Sequence, residues 1–298
     1  QAAGLEPGRA GSLLQEQRAA PDPMALSRKR GTERGSQVDV ILGEVPQETM
    51  GIQIVSKLAT KGFCVIAPGF EDGTVEKAVE EIQEFENLQR WYKVNTVIQD
   101  GLLGSEGSHT IADLESPELD DDVRSDGETL MKLDYTITHI GFRMEPYIDR
   151  LGIDVSHRSL AVVHQAGETD EDAAPLTEKQ VMKWLAQFLR HRIMVIVFLG
   201  PSSGTLELKP YETATVDADL HEVQTRPGTI VVLRPDLMNH KHYSPGKSYA
   251  LSSFFLTGTV QKRAAAEAWN MIPAARELDD WTLARLKELK EKSQDDSI

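Results

Sequence analysis

The side chains of this 298-residue chain that could do chemistry are carboxylates and imidazoles, since it has only one cysteine. Asp217, Asp219 and His221 alternate, so on a β-strand all three would share one face. Such a trio could hold a metal ion; on an edge strand the same residues would simply face solvent. Asp120, Asp121 and Asp122 are consecutive, and three adjacent carboxylates converge poorly on one cation, so exposed repulsion is the plainer reading. Cys64 stands in Gly62-Phe63-Cys64-Val65-Ile66, where a thiol behaves as a small buried hydrophobe rather than a nucleophile. A single cysteine also excludes a disulfide framework and a cysteine-built zinc site. No Gly-rich phosphate loop, Ser-His-Asp elbow or CxxC pair is present.

The apolar pattern specifies the elements that must position these residues. Residues 1–37 are rich in Gly, Ala, Arg, Pro and Gln without a sustained apolar period, which predicts a disordered leader or linker. Within it, Arg28-Lys29-Arg30 reads as part of a solvated tail or as a targeting patch. Order is expected from Val38, with a strand at 38–42. Met50, Ile54, Val55 and Leu58 have helical spacing, and Gly62 is placed to end that helix. Residues 63–66 read as a strand. Val75, Ala78, Val79, Ile82 and Phe85 give a second amphipathic helix with Thr74 at its N-cap.

Residues 101–128 are Gly-, Ser- and Asp-rich and predict a long surface loop. Leu133, Ile137, Ile140, Met144, Tyr147 and Leu151 stripe one face of a further helix. Residues 160–163 read as a strand and 165–174 as a polar loop. Thr177 and Gln180 then have capping-box spacing, with Leu176 and Val181 at the staple positions. Strands follow at 193–199, 205–208, 229–233 and 249–256. Residues 263–292 are predicted helical, broken near Pro273. Helices first and strands after them specify an α+β fold with helices buttressing one face of a sandwich or barrel. The expected division is a leader (1–37), one β-rich domain (38–262) and a helical tail (263–298).

Composition narrows the function classes. Hydrophobic residues make up 40% of the chain, enough for a sizeable core, and the mean hydropathy is −0.34. No apolar run approaches the ~20 residues of a membrane helix. The formal charge is −15; six basic and four acidic residues give residues 1–36 a charge of +2, leaving −17 for the remainder. An acidic body argues against nucleic-acid binding and against an anionic membrane surface. The absence of disulfides and of a secretory signal fits an intracellular setting.

Taken in order, the elements resemble the prolyl 4-hydroxylase branch of the 2-oxoglutarate/Fe(II)-dependent dioxygenases. The helix ending at Lys61 followed by Gly62-Phe63-Cys64-Val65-Ile66 resembles that branch's entry, "G-[FY]-x-V-[IV]". Gly204-Thr205-Leu206-Glu207-Leu208-Lys209-Pro210 resembles "G-G-x-L-x-L-x-P". Pro227 to His240 resembles "G-x-L-[VL]-[LF]-[FW]-x-S-D-x-x-x-H", and Ser248 to Phe255 resembles "R-x-A-[IL]-T-x-W-[FY]". The similarity spans residues 47–256. It implies a double-stranded β-helix (jelly-roll) core, with Fe(II) and 2-oxoglutarate as cofactors.

The resemblance also implies a ligand set. In that family two His and one carboxylate hold the iron on one face, leaving open positions for 2-oxoglutarate and O2. His240 falls at the distal-ligand position, with His242 as a second choice in the same loop. The strand at 160–163 resembles the one leading into "Y-x-P-G", with His164 at the Tyr and Gly167 at the Gly. The His-x-Asp expected next is missing, because residues 168–175 contain no His. Asp170 or Asp172 would then supply the carboxylate and His164 or His191 the second imidazole, unless the stretch is an acidic surface loop. At the family's basic co-substrate anchor stands Ser248. Neighbouring Lys247 would point away by strand alternation, unless the chain bulges between Tyr243 and Ser248 or Lys209 or Arg234 reaches in.

Two functions follow. The first is an oxygenase-like enzyme that hydroxylates or oxidises a small molecule or a protein side chain. The second is a catalytically inactive β-helix module, a binding or structural subunit that could meet a protein partner through its C-terminal helix.

Overall fold

The computed structural model describes residues 38–115, 126–167, 172–212, 214, 216, 219–258 and 272–295. The expected leader, the Asp120–Asp122 run, Asp170, Asp217 and residues 263–271 of the tail lie outside them. In chain order the elements are β1 (Val40–Ile41), α1 (Gln47–Lys61), β2 (Phe63–Ala67), α2 (Thr74–Asn87), β3 (Tyr92–Lys93), α3 (Thr96–Gly101) and β4 (Thr110–Asp113). Then come α4 (Glu128–Met144), a 3-10 helix (Glu145–Leu151), β5 (His157–Arg158), β6 (Val162–Ala166) and α5 (Glu178–Phe188). The last part holds β7 (His191–Pro201), β8 (Gly204–Pro210), β9 (His221–Thr225), β10 (Ile230–Leu233), β11 (Met238–Tyr243), β12 (Ser248–Leu256) and α6 (Pro273–Asp295).

Nine strands form one sheet in the order β1-β2-β10-β7-β12-β6-β4-β3, with β5 added beside β12; β11-β8-β9 form a second sheet. Apart from the parallel β1–β2 pair, the ladders are antiparallel. From β7 onward the chain passes back and forth between the sheets. β7, β10 and β12 lie in the large one, and β8, β9 and β11 in the small one. That alternation makes a double-stranded β-helix.

Strand pleating explains why the large sheet is apolar on both faces. Ile193, Val195, Val197 and Leu199 of β7 join the layer packed against α1, α2 and α4, together with Ile54, Leu58, Ile82, Phe85, Leu133 and Ile137. Met194, Ile196 and Phe198 face the other way, towards Leu206, Leu208, Val223 and Met238 of the small sheet. A strand covered on both sides reads as the continuous apolar run seen at 193–199.

Local signals act mostly as expected, with small displacements. Gly62 ends α1 in the left-handed conformation (φ 81°) and donates its N–H to the Leu58 carbonyl. Thr177 caps α5 by accepting from the Gln180 N–H at 3.3 Å. The Gln180 side chain does not close the box; its amide donates to the Lys93 carbonyl. Thr74 is the first helical residue of α2 rather than its cap, a place taken by Gly73. The stripe from Leu133 to Leu151 divides into α4 and the 3-10 helix, where Pro146 lacks the N–H needed to continue the α pattern. The strand at 160–163 is shifted to 162–166, and the loop at 101–128 contains β4. Ile272, Ala274, Ala275 and Leu278 are buried where α6 packs against α3 and α5.

Candidate functional site

The barrel interior collects four buried histidines: His164, His191, His240 and His242. His240 and His242 share the inward face of β11 with Met238, while Asn239 and Lys241 alternate away. His164 is inward on β6, in register with Val162. His191 is turned inward by a register shift between Phe255 and Leu256, which sets its ring edge-on to Phe254 at 4.3 Å. The fold therefore buries in one interior all four of the histidines that the resemblance offers as candidate ligands.

Hydroxyl groups already hold two of these rings. His164 Nδ1 is 2.9 Å from Ser108 Oγ, and its Nε2 is 2.7 Å from Ser252 Oγ. His242 Nε2 is 2.9 Å from Thr225 Oγ1. His240 Nδ1 lies 3.3 Å from the Met238 carbonyl. His240 Nε2, His242 Nδ1 and both nitrogens of His191 find no hydrogen-bond partner among the described residues.

Burial disfavours the imidazolium form throughout. It lowers His164 to about 3, helped by the neighbouring His242 and His240, and lowers His242 to about 4. It pushes His191 well below the usual histidine value, with His240 and Arg192 adding to the effect. His240 is also lowered, against the opposing pull of the Met238 and Leu102 carbonyls and of Asp100. These are neutral imidazoles at pH 7. Burial likewise raises Cys64 to about 12, which removes it as a nucleophile.

One segment explains why the interior is closed. By the alternation of strands, the chain between β6 and β7 would add a fourth strand beside β11, but it forms α5 instead. The turn after α3 occupies that edge: the His242 N–H donates to the Leu103 carbonyl at 2.9 Å. Leu102 and Leu103 are fully buried between the sheets with Phe198 and Phe254, and each such side chain contributes about 1.5–3 kcal/mol of burial. Gly104 fits closely here, since an added Cβ would lie 3.3 Å from Lys241 Cγ. The start of α6 covers the neighbouring end. What remains near His240 is a cavity of about 90 Å³ lined by Asp100, Tyr211, Lys241 and Pro273, room for a few waters at about 30 Å³ each.

The other implied site residues lie elsewhere. Asp172 is exposed, and Asp170 lies outside the described residues. Among the described residues, no group of three or more His, Cys, Asp or Glu side chains is arranged to hold an ion. Lys247 faces outward, 2.7 Å from Glu86 on α2. Ser248 is buried and donates to the Ser202 carbonyl at 3.1 Å. Arg234 shares the helix-side face with Val232 and pairs with Asp236 at 2.6 Å. Lys209 is exposed beyond the inward-facing Leu206 and Leu208. The β7–β12 ladder begins at Ser248, and its register shifts lie between Tyr249 and Ala250 and between Phe255 and Leu256 rather than ahead of Ser248. Asp219 is exposed and the His221 ring packs against Phe63 at 5.0 Å, so these two build no shared metal face.

As the described residues stand, an iron and a 2-oxoglutarate do not fit this arrangement. The His164 nitrogens are engaged by hydroxyls, no carboxylate completes a facial set among the described residues, and apolar side chains fill the space. The inward residues of β12 are Ser248, Ala250, Ser252 and Phe254, which offer a dicarboxylate no cation. An unpaired buried charge there would cost several kcal/mol.

No protein-family model matches the sequence. No curated protein matches it either. Solved structures similar in fold include a prolyl hydroxylase in complex with a hypoxia inducible factor oxygen degradation domain peptide, from Trichoplax adhaerens. It has 13% identity and a TM-score of 0.49 over 70% of this chain and 90% of that one. A Pseudomonas putida prolyl-4-hydroxylase has 12% identity and a TM-score of 0.46 over 70% and 98%. The Arabidopsis thaliana dioxygenase for auxin oxidation 1, in its 2-oxoglutarate complex, has 14% identity and a TM-score of 0.44 over 74% and 93%. These three neighbours are two prolyl hydroxylases and a dioxygenase; the fold of this chain rests on its own strand order.

Proposed function

We propose that this chain keeps an oxygenase-type barrel as a scaffold and works as a binding or structural module, without running 2-oxoglutarate/Fe(II) chemistry through its interior. The observation that carries this reading is Leu102–Gly104 lying along β11 where a further strand would pair, with Leu102 and Leu103 fully buried among the apolar side chains of the barrel interior. The donor set supports it, since hydroxyls and apolar groups surround the imidazoles. So does the outward direction of Lys247 and Arg234. An oxygenase needs differential stabilisation of charged intermediates in an open, preorganised pocket, and none of the described residues supplies that.

Anaerobic calorimetry of the full chain with Fe(II) and 2-oxoglutarate, alone and together, tests the reading. The expected result is no 2-oxoglutarate binding tighter than about 1 mM, and no change on Lys247→Ala. Stoichiometric Fe(II) retention together with micromolar 2-oxoglutarate binding would overturn it.

A further inference from the structure

Helices α5 and α6 leave an open groove of about 420 Å³ between them. Met182, Leu185 and Leu189 line it from α5, and Trp281, Leu286 and Leu289 from α6. Met182 is 77% exposed, and Leu286 and Leu289 are 49 and 45% exposed. Large apolar side chains gathered in water on one concave patch mark an interaction surface.

The walls restrict what can lie there. Both are helices whose backbone groups are bonded within their own turns, so an occupant finds no main-chain partners. An extended segment would bury its own N–H and C=O groups unpaired, whereas a helix brings its hydrogen bonds with it. The lining runs from Val181 to Leu189 on one wall and from Trp281 to Leu289 on the other. Each wall is about 12 Å long at about 1.5 Å per residue, the span over which a docked helix sets apolar anchors at i, i+3, i+4 and i+7.

Charge at the rim selects the sign of that helix. Glu178 pairs with Arg285 at 2.9 Å, and the same guanidinium holds Glu288 at 3.0 Å. Lys287 stands 4.0 Å from Glu291. What is left over is cationic. Lys179 lies one turn before Met182, Lys290 one turn after Leu286 and Lys292 one turn after Leu289. Arg190 donates to the carbonyl of Ala186, another lining residue, at 3.0 Å. None of these four cations has a carboxylate partner among the described residues. Residues 178–190 carry Lys179, Lys183 and Arg190 against Glu178, a net +2. Residues 281–294 carry Arg285, Lys287, Lys290 and Lys292 against Glu288 and Glu291, also +2, which leaves −19 for the rest of a chain of −15. A basic rim on an otherwise acidic protein attracts an acidic partner. An anionic bilayer matches less well, because a flat surface reaches little of a groove and repels the rest of the chain.

We propose that the α5–α6 groove is the docking site for an amphipathic helix of a protein partner, apolar along one face and acidic along its edges. The proposal rests on the binding-module reading for its place in function, but its test addresses the groove alone. Binding of 2-oxoglutarate in the barrel would overturn that reading and leave the groove's result as it stands.

Two probe peptides of about 15 residues, titrated against the full chain by fluorescence anisotropy, test it. Both carry leucines at i, i+3, i+4 and i+7 spacing; one has alanine and glutamate elsewhere, the other alanine and lysine. The glutamate peptide should bind with a Kd of about 10–100 µM, and the lysine peptide should not bind below about 1 mM. Met182→Glu, at an exposed position, should weaken the glutamate peptide roughly 10-fold with an unchanged urea midpoint. Lys179→Glu with Lys290→Glu and Lys292→Glu should reverse the preference, so that the lysine peptide binds instead. The proposal is overturned by no binding of the glutamate peptide below about 1 mM, by equal binding of the two peptides, or by a preference that the triple substitution leaves unmoved. Binding to phosphatidylserine vesicles that Met182→Glu abolishes would also overturn it, since the groove would then be a lipid contact.

Discussion

The backbone N–H of His242 donates to the carbonyl of Leu103 at 2.9 Å, joining β11 to a turn far away in sequence. This bond closes an edge of the small sheet that would otherwise be open, and it ties the histidine-lined face to α3. The same turn supplies Ser108, whose hydroxyl lies 2.9 Å from His164 and also accepts from the Leu103 N–H at 3.0 Å. Backbone, hydroxyl and imidazole thus form one connected polar unit inside an apolar barrel, where a partly broken network is costly.

Loss of this closure should be plain in stability. Leu103→Ala removes a fully buried leucine and should cost about 2–5 kcal/mol, read as a lower urea midpoint. Gly107→Ala should act in the opposite way, by crowding. Its new Cβ would sit 2.3 Å from the Leu103 carbonyl oxygen and 3.0 Å from His242 Cβ, at a cost of about 1–3 kcal/mol. A Gly107→Ala protein as stable as the parent would mean that the turn is not seated against β11.

Stability should fall steeply in acid. His164 and His242 are held to about 3 and about 4 in the folded state, against an ordinary histidine value of 6.5. Between those limits the unfolded chain binds more protons, so stability rises with pH. Their contribution is complete above pH 6.5, and is lost as pH drops through 6 towards 4. For His164 alone the full window corresponds to an upper figure of about 5 kcal/mol, at about 1.4 kcal/mol per unit. His164→Gln keeps a donor and an acceptor for Ser108 and Ser252 but does not titrate. Unfolding monitored from pH 7.5 to 4 should show a shallower slope for this variant, and an identical slope would remove His164 from the explanation.

Two ion pairs provide a contrast in magnitude. Lys247 and Glu86 have half-exposed side chains, so Lys247→Ala should change stability by less than about 1 kcal/mol. Asp134 is largely buried, ion-paired with Arg158, and Arg158 also donates to Ser253 Oγ at 2.8 Å and Thr138 Oγ1 at 2.5 Å. Asp134→Ala leaves that guanidinium without its carboxylate and should cost about 3 kcal/mol. Equal effects of the two substitutions in a denaturant titration would contradict the burial assigned to them.

Most of the fold was legible because its signals are local. The apolar run at 193–199, the Gly62 stop and the Thr177 cap each specify their element from neighbouring residues alone. The interior was legible only in part. Strand alternation is enough to turn Lys247 away from the barrel, and the outward Lys247–Glu86 pair agrees with it. The same alternation would have placed Ser252 beside His164, had β6 been read two residues later. Nothing local marks Ser108 or Leu103, since their importance comes from pairing with β11 and β6 across long sequence separations. His191 was a candidate from the sequence, but the register shift that turns it inward is a tertiary event with no signature in the residues around it.

His191 gives the most discriminating test of whether the interior is purely structural. Its ring is fully buried, and neither nitrogen has a hydrogen-bond partner among the described residues. The ring meets Phe254 edge-on at 4.3 Å and stacks near Phe188 at 6.4 Å, contacts that do not need an imidazole. A buried polar atom without a partner costs about 1–3 kcal/mol, whereas an apolar side chain of similar volume carries no such cost. His191→Leu should therefore leave the fold intact and raise stability by about 1–2 kcal/mol at pH 7, less any loss of ring packing. It should also reduce the acid sensitivity, because burial holds His191 well below its ordinary value. The measurement is the urea midpoint of parent and variant at pH 7 and pH 5. A gain that grows as pH falls fits a histidine retained only as neutral packing. A variant destabilised by more than about 1 kcal/mol would mean that the imidazole holds a bound water, ion or ligand, and a scaffold-only interior would no longer be tenable.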